Sequence, residues 1–205
     1  MTDKKAHILN TAMELFAEKG FEGSSIRDLA ARADVNVAMI NYYFGSKEKL
    51  FEKLVEQKAS FLKGVFAELA NNTSLSPLEK VYVVVDSYIE RMFTNPQFHH
   101  LLQRELSLER RPELKNAISD ILLRNFVSIK AIIQNGIDEG EFKSIDIELT
   151  IATIIGTINN LLSSETMCRK ILQKSKDFNH YQSKKLKERI SEHLKQLMRS
   201  HLLKN

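Results

Sequence analysis

Between Ser24 and Lys47 the chain reads SSIRDLAARADVNVAMINYYFGSK, and its polar groups suit recognition of a polyanion better than bond-making. Ser25, Asn36, Asn41, Tyr42, Tyr43 and Lys47 offer hydroxyl, amide and ammonium donors, the groups that meet phosphate oxygens and base edges. Ala38 is small enough to let a helix approach a groove closely, and Met39 adds an apolar contact. Val37 is counted with them as the first residue of that helix, although its spacing to Ile40 and Phe44 also assigns it to a buried stripe. These nine residues are the candidate DNA-contacting set.

Bond-making chemistry finds no such cluster. The chain has no Gly-rich phosphate loop and no activated-serine motif, so an enzyme is not expected. His99 and His100 are adjacent and cannot point both rings one way on a helix, and His193 and His201 are eight residues apart, too far for one ion. Neither a metal nor any other cofactor is expected. The single Cys168 can form no internal disulfide and reads as a small apolar residue in a reducing compartment. No apolar run reaches the about eighteen residues a membrane helix needs, and the N-terminal residues lead into an amphipathic pattern, so a cytoplasmic protein without a membrane span is expected.

The elements that would position the candidate set follow from caps and periodicity. Ser25-Ile26-Arg27-Asp28 is a capping box, and Ile26, Leu29, Ala30 and Ala33 follow at helical spacing for about ten residues. Asp34-Val35-Asn36 ends that helix, with Asn36 placed to cap the next one over Val37 to Phe44. Two tyrosines and an asparagine distributed over the flanks and outer face of this second helix are unusual, because solvent-facing helices carry mostly Lys, Glu and Arg. Ser46 caps a third helix, where Lys47 and free backbone N–H groups would meet a phosphate.

Residues 7 to 54 resemble the N-terminal DNA-binding domain of the TetR family of bacterial transcriptional regulators. The resemblance rests on Ile8, Ala12, Leu15 and Phe16, on Lys19-Gly20-Phe21 leading to Ser24-Ser25-Ile26, on Asp28-Leu29-Ala30, and on Ile40 to Leu50. The chain departs from the common pattern at Asp34, where many members carry Gly, and at Asn41 and Tyr43, where Tyr and His are common. The family likeness implies an all-α fold with a helix-turn-helix domain at 1–48 and a helical effector-binding and dimerisation domain at 49–205. It further implies a homodimeric, sequence-specific transcriptional regulator, a repressor released from a palindromic double-stranded DNA operator by a small-molecule effector.

Beyond the motif, 205 residues with 43% apolar content, 7 Gly and 3 Pro predict a mostly helical body. A helix from Ser46 to about Leu69 has Leu50, Leu54, Phe61, Leu62, Val65 and Leu69 inward. Ser76-Pro77, Asn95-Pro96, Pro112 and Asp146 open four more helices, and the last runs from about Ser183 to Leu203. The resemblance places the effector pocket among the central helices, with Phe66, Tyr88, Met92, Phe93, Phe98, Arg104 and Phe126 as candidate lining. It places the dimer interface on the helices around Ile151, Ile155, Ile158 and Leu162 and around Leu186, Ile190, Leu194 and Leu197.

Charge is informative by position. Residues 1–60 hold nine basic and nine acidic side chains, so DNA binding there must rest on arrangement rather than bulk charge. Residues 170–205 hold ten basic against three acidic, net +7, which reads first as a solvated helix face. The alternative is a helical interaction or membrane-surface protein using that basic last helix.

Overall fold

The computed structural model describes residues 2–204, which form ten α-helices and one short 3-10 turn, with no strand among them. The helices are α1 (Thr2–Lys19), α2 (Ile26–Arg32), α3 (Val37–Phe44), α4 (Lys47–Asn71), α5 (Pro77–Thr94), α6 (Pro96–Ser107), α7 (Pro112–Asp138), α8 (Ile147–Ser163), α9 (Glu165–Ile171) and α10 (Lys184–Leu202). His180–Gln182 is the 3-10 turn.

The predicted starts are built as their sequences dictate. Ser76 Oγ accepts from Glu79 N while the Glu79 carboxylate accepts from Ser76 N, with Pro77 at the first helical position, where its missing N–H goes unmissed. Asp146 Oδ1 accepts from Leu149 N at 2.9 Å, and Ser183 Oγ from Leu186 N at 3.1 Å. Helix α9 has no counterpart in the sequence reading. It is seven residues long with only Cys168 buried, too short for a periodic stripe, and its one legible signal is the Ser164 cap on Met167 N. Phe61 was expected to point inward and is instead 61% exposed.

Two compact units share the chain, one made of Met1–Phe61 with Gln97–Leu123, the other of Leu62–Pro96 with Arg124–Asn205. This division by packing differs from a boundary at 48/49. The reason is hydrophobic: Phe98, Leu101 and Leu102 of α6 and Leu114, Ile118 and Ile121 of α7 are buried in the same core as Ile8, Phe16, Phe21, Leu29, Ile40 and Leu54. The fully buried rings of Phe16, Phe21 and Phe51 meet with centroids 5.2–5.8 Å apart at its centre.

The second unit's core joins α5, α8 and α10 with parts of α4 and α7. Its ends are tied by backbone: Lys143 N donates to Leu202 O at 2.9 Å, beside an isolated antiparallel bridge between Phe142 and Leu203. Part of the basic last helix turns toward α5. Lys195 pairs with Asp86, Lys187 with Glu90, and Ser191 Oγ donates to Asp86 Oδ1 at 2.6 Å. Burial pushes the Cys168 thiol up, as expected of an inert, apolar-site cysteine. No helix among the described residues is long and apolar enough to cross a membrane.

Candidate nucleic-acid interface

The first helix of the motif is fixed at both ends. Ser25 Oγ accepts from Asp28 N at 3.1 Å, and Ser25 N donates back to Asp28 Oδ2 at 2.9 Å. The Ser25 hydroxyl proton also goes to Asp28 Oδ2, at 2.5 Å. Ser25 is therefore a helix cap, and in this state the single proton of its hydroxyl is given to Asp28. These bonds hold the Asp28 carboxyl below its ordinary range, so the cap is intact above the usual carboxylate pKa and is lost as pH falls through the depressed folded value.

At the other end, Val35 N donates to Ala30 O at 3.0 Å and Asp34 N to Ala31 O at 3.4 Å, a Schellman closure with Asp34 in the left-handed region at φ 51°. Val35 packs on the core, completing the closure. From α1, His7 Nε2 reaches Ala33 O at 3.0 Å and ties the turn down. Left-handed backbone disfavours any side chain, so Asp34→Gly is expected to raise the stability of this unit by about 0.5–1 kcal/mol. A urea midpoint that rises with unchanged slope is the expected result, and a lower midpoint would show that the Asp34 side chain contributes more than its backbone strain removes.

Helix α3 then begins at Asn36, whose Oδ1 accepts from Met39 N at 2.7 Å, leaving the amide NH2 on an exposed residue. It ends at Gly45, with φ 79° and its N–H on Asn41 O. Only Ile40 and Phe44 are buried along it. Val37, placed by spacing in the buried stripe, is 37% exposed because one turn above Ile40 the core has ended. Ala38, Asn41 and Tyr42 are exposed, Tyr42 at 80%, while Met39 and Tyr43 are half-buried. The Tyr42 and Tyr43 rings pack edgewise, centroids 5.4 Å apart, and Tyr43 also rests on the core, so its ring orients Tyr42. The outcome is a short helix whose outer face offers an amide, a phenol, a methyl and an isopropyl group.

Lys47 does not project from this surface. Its Nζ donates to Phe21 O and Ser24 O, both at 2.8 Å, and sits 4.3 Å from the Phe21 ring centroid. The ammonium expected to meet phosphate is committed to closing the turn between α1 and α2. Arg32 is likewise occupied, by Glu18 and Glu14. The Arg32 hydrogen bond holds the Glu18 carboxyl below its usual range. Arg27, in the first turn of α2, is exposed with no acidic partner among the described residues. The sequence signal for Arg27 was its place on the wet side of the first motif helix.

The other predicted sites divide differently. Phe66, Tyr88, Met92, Phe93 and Phe126 belong to the second unit's core, where burial pushes the Tyr88 phenol up to about 12. Phe98 and Arg104 leave that set: α6 packs in the first unit, with Phe98 in its core and the Arg104 guanidinium against Gly20. Burial also lowers the pKa of Arg91, on the same helix as Tyr88. Of the eight expected interface residues, Ile151, Ile158, Leu162, Leu186, Ile190 and Leu194 are buried in the protomer's own core, Ile155 is partly buried against it, and Leu197 is 37% exposed. Most of the stripe that spacing identified therefore packs within the protomer. Gly156, Thr157 and Leu161 of α8 and Arg189 and His193 of α10 line a cleft of about 550 Å³ together with Ile171, and Leu186 and Ile190 of the expected set also border it.

Two short capped helices joined through a left-handed turn, the second with a solvent-facing readout surface, define a helix-turn-helix DNA-binding regulator. The family model described as bacterial regulatory proteins, tetR family, matches residues 8–54, and one described as YsiA-like protein, C-terminal region, matches 54–175. The probable HTH-type transcriptional regulator YttP of Bacillus subtilis (strain 168) is 30% identical over 77% of this chain and 74% of its own. The fatty acid metabolism regulator protein of the same organism is 26% identical over 80% of this chain and 84% of its own. Among solved structures, the B. subtilis regulator FadR in complex with stearoyl-CoA superposes with a TM-score of 0.75 at 24% identity, covering 92% of this chain and 96% of that one. FadR from Bacillus halodurans gives 0.76 at 20% identity over 94% of each. The chain belongs to the TetR family of bacterial transcriptional regulators, and is a DNA-binding regulator rather than an enzyme.

Proposed function

We propose that this protein is a homodimeric, cytoplasmic repressor that reads a palindromic operator and leaves it when a small molecule binds the second unit. The observation that carries the DNA-reading part is the face of α3, with Val37, Ala38, Asn41 and Tyr42 exposed while Ile40 and Phe44 anchor the helix from behind. Asn41 is suited to bidentate pairing with adenine, Val37 and Ala38 to contact with a thymine methyl, and Tyr42 and the Asn36 amide to phosphate. Two copies would set their α3 helices about 34–36 Å apart, one turn of B-DNA. The pairing surface in this reading is the outer side of α8 and α10, where Leu149 of α8 and Leu197 of α10 are exposed and residues of both helices line the cleft of about 550 Å³.

For the effector, the apolar side chains of Phe66, Tyr88, Met92, Phe93 and Phe126 pack together in the second unit's core, and a ligand entering among them would be apolar. The relatives named for fatty acid metabolism and solved with stearoyl-CoA make a long-chain acyl thioester the first class to test. Such a ligand would act by binding better to the state with the wrong half-site spacing. Membrane-surface use of α10 fits less well, since Lys187 and Lys195 are paired with α5 carboxylates.

The test is operator selection from random duplexes, followed by titrations across salt. Arg27→Ala is expected to weaken operator and scrambled duplexes alike and to lower the salt slope by about 1 per protomer, while Asn41→Ala changes sequence preference and leaves the slope alone. Equal losses for both variants on both duplexes, with one common slope, would sink this division of roles. Failure of stearoyl-CoA to release wild-type protein from operator removes that ligand class without touching DNA reading.

A further inference from the structure

The turn that delivers the chain into α2 is held from outside the helix-turn-helix. Residues 20–24 form it, with Gly20 at φ 75° and Ser24 Oγ donating to Gly20 O at 2.7 Å. Arg111, the residue before α7, donates to Glu22 through Nη1 and to Glu105 of α6 through Nη2, the latter at 2.7 Å. Its guanidinium carbon stands 4.4 Å from the Phe21 ring centroid, so the ring is in contact with two cations, Arg111 and Lys47. The Glu105 side chain is only 3% exposed, so loss of the guanidinium leaves a buried carboxylate without its partner. Arg104, next along α6, packs on Gly20 so closely that a Cβ there would lie 2.8 Å from Nη1.

None of these contacts is a reading contact, yet together they fix the segment whose next residue is the Ser25 cap of α2. Helix α7, which starts one residue after Arg111, runs on to Asp138 and buries Ile129, Ile132 and Ile133 in the second unit's core. We propose that Arg111 is a positioning residue for DNA reading: it links the α6–α7 junction to the α1–α2 turn through Glu105, Glu22 and Phe21, and so sets the placement of α2 and α3. A planar five-donor group that stacks on a ring and bonds two carboxylates at once is a role that lysine fills only in part.

The proposal rests on the DNA-reading part of the proposed function, and the experiment separates the two. Full-length Arg111→Met, Arg111→Lys and Glu22→Gln are compared with wild type for binding to the selected operator and a scrambled duplex across salt. Hydrogen exchange of peptides covering residues 20–37 is measured without DNA. Arg111→Met is expected to lose about threefold to thirtyfold in operator affinity. It should keep its salt slope, lose much less on scrambled duplex, and exchange faster across residues 20–25 and 33–37. Arg111→Lys should fall between it and wild type. A parallel loss on both duplexes with a slope lowered by about 1 would make Arg111 a phosphate contact and overturn the proposal. Unchanged affinity and exchange would overturn it too. Should Arg111→Met fail to fold, Glu22→Gln, which removes only the more exposed arm, is judged on the same readouts. If wild type selects no operator, the DNA-reading assignment fails, and unchanged exchange in the variants would still overturn the link.

Discussion

Lys47→Ala is expected to destabilise the first unit by about 2–4 kcal/mol, because two hydrogen bonds from a charged donor disappear together with a cation–ring contact. The two acceptors, Phe21 O and Ser24 O, bracket the turn between α1 and α2, and the ammonium stands 4.3 Å from the Phe21 ring centroid, in the core formed by Phe16, Phe21 and Phe51. Lys47→Met keeps most of the stem and its packing, so the difference between Met and Ala reports the stem and the remainder reports the charge. Urea unfolding followed by near-ultraviolet signal from the first unit's rings gives the loss. DNA titration then supplies the contrast: at a temperature where Lys47→Met is folded, its salt slope should equal that of wild type, since the ammonium already serves two carbonyls. A slope lowered by about 1, with stability unchanged, would return Lys47 to the phosphate-contacting set.

Much of the helix-turn-helix was legible because its signals are local. A capping box, an Asn cap and an i, i+3, i+4 stripe each lie within one turn of chain, and the structure contains Ser25, Asn36, Ile40 and Phe44 in those roles. What could not be read were partners distant in sequence. Lys47 finds carbonyls 26 and 23 residues away, and Arg111 reaches Glu22 across 89 residues, so neither destination can be read from neighbours. Val37 was misplaced for a related reason: periodicity identifies the face of a helix but not where the underlying core stops. The assignment of α6 to the first core escaped for the same reason, as Phe98, Leu101 and Leu102 form an apolar stripe that fits either unit equally well on paper. The α8 and α10 stripes show the limit most clearly. Both helices are apolar at helical spacing, and that spacing is satisfied whether the stripe meets the protomer's own α5 or a second copy.

Leu194 and Leu197 of α10 turn that ambiguity into an experiment. Leu194 is fully buried in the second unit's core, whereas Leu197, one turn on, is 37% exposed. Leu194→Ala is expected to lose about 2–5 kcal/mol of protomer stability, the usual loss for a leucine truncated in a packed core, whatever the oligomeric state. Leu197→Glu should leave the stability of the isolated protomer within about 0.5 kcal/mol, because an exposed site away from caps and buried partners tolerates substitution. If the proposed dimer uses the outer side of α8 and α10, the same Leu197→Glu places two like charges near a two-fold axis and should shift the monomer–dimer midpoint upward by tenfold or more, roughly 1.4 kcal/mol. Sedimentation across a concentration series reads the second effect, and denaturation at fixed low concentration reads the first. A Leu194→Ala protein that unfolds like wild type but dissociates would restore the inner stripe to the interface. A Leu197→Glu protein that stays dimeric at every concentration would move the pairing surface away from the outer face of α10. If operator binding uses two α3 helices at fixed separation, as proposed, the dissociated Leu197→Glu protein should also lose operator affinity while keeping the binding of a single half-site.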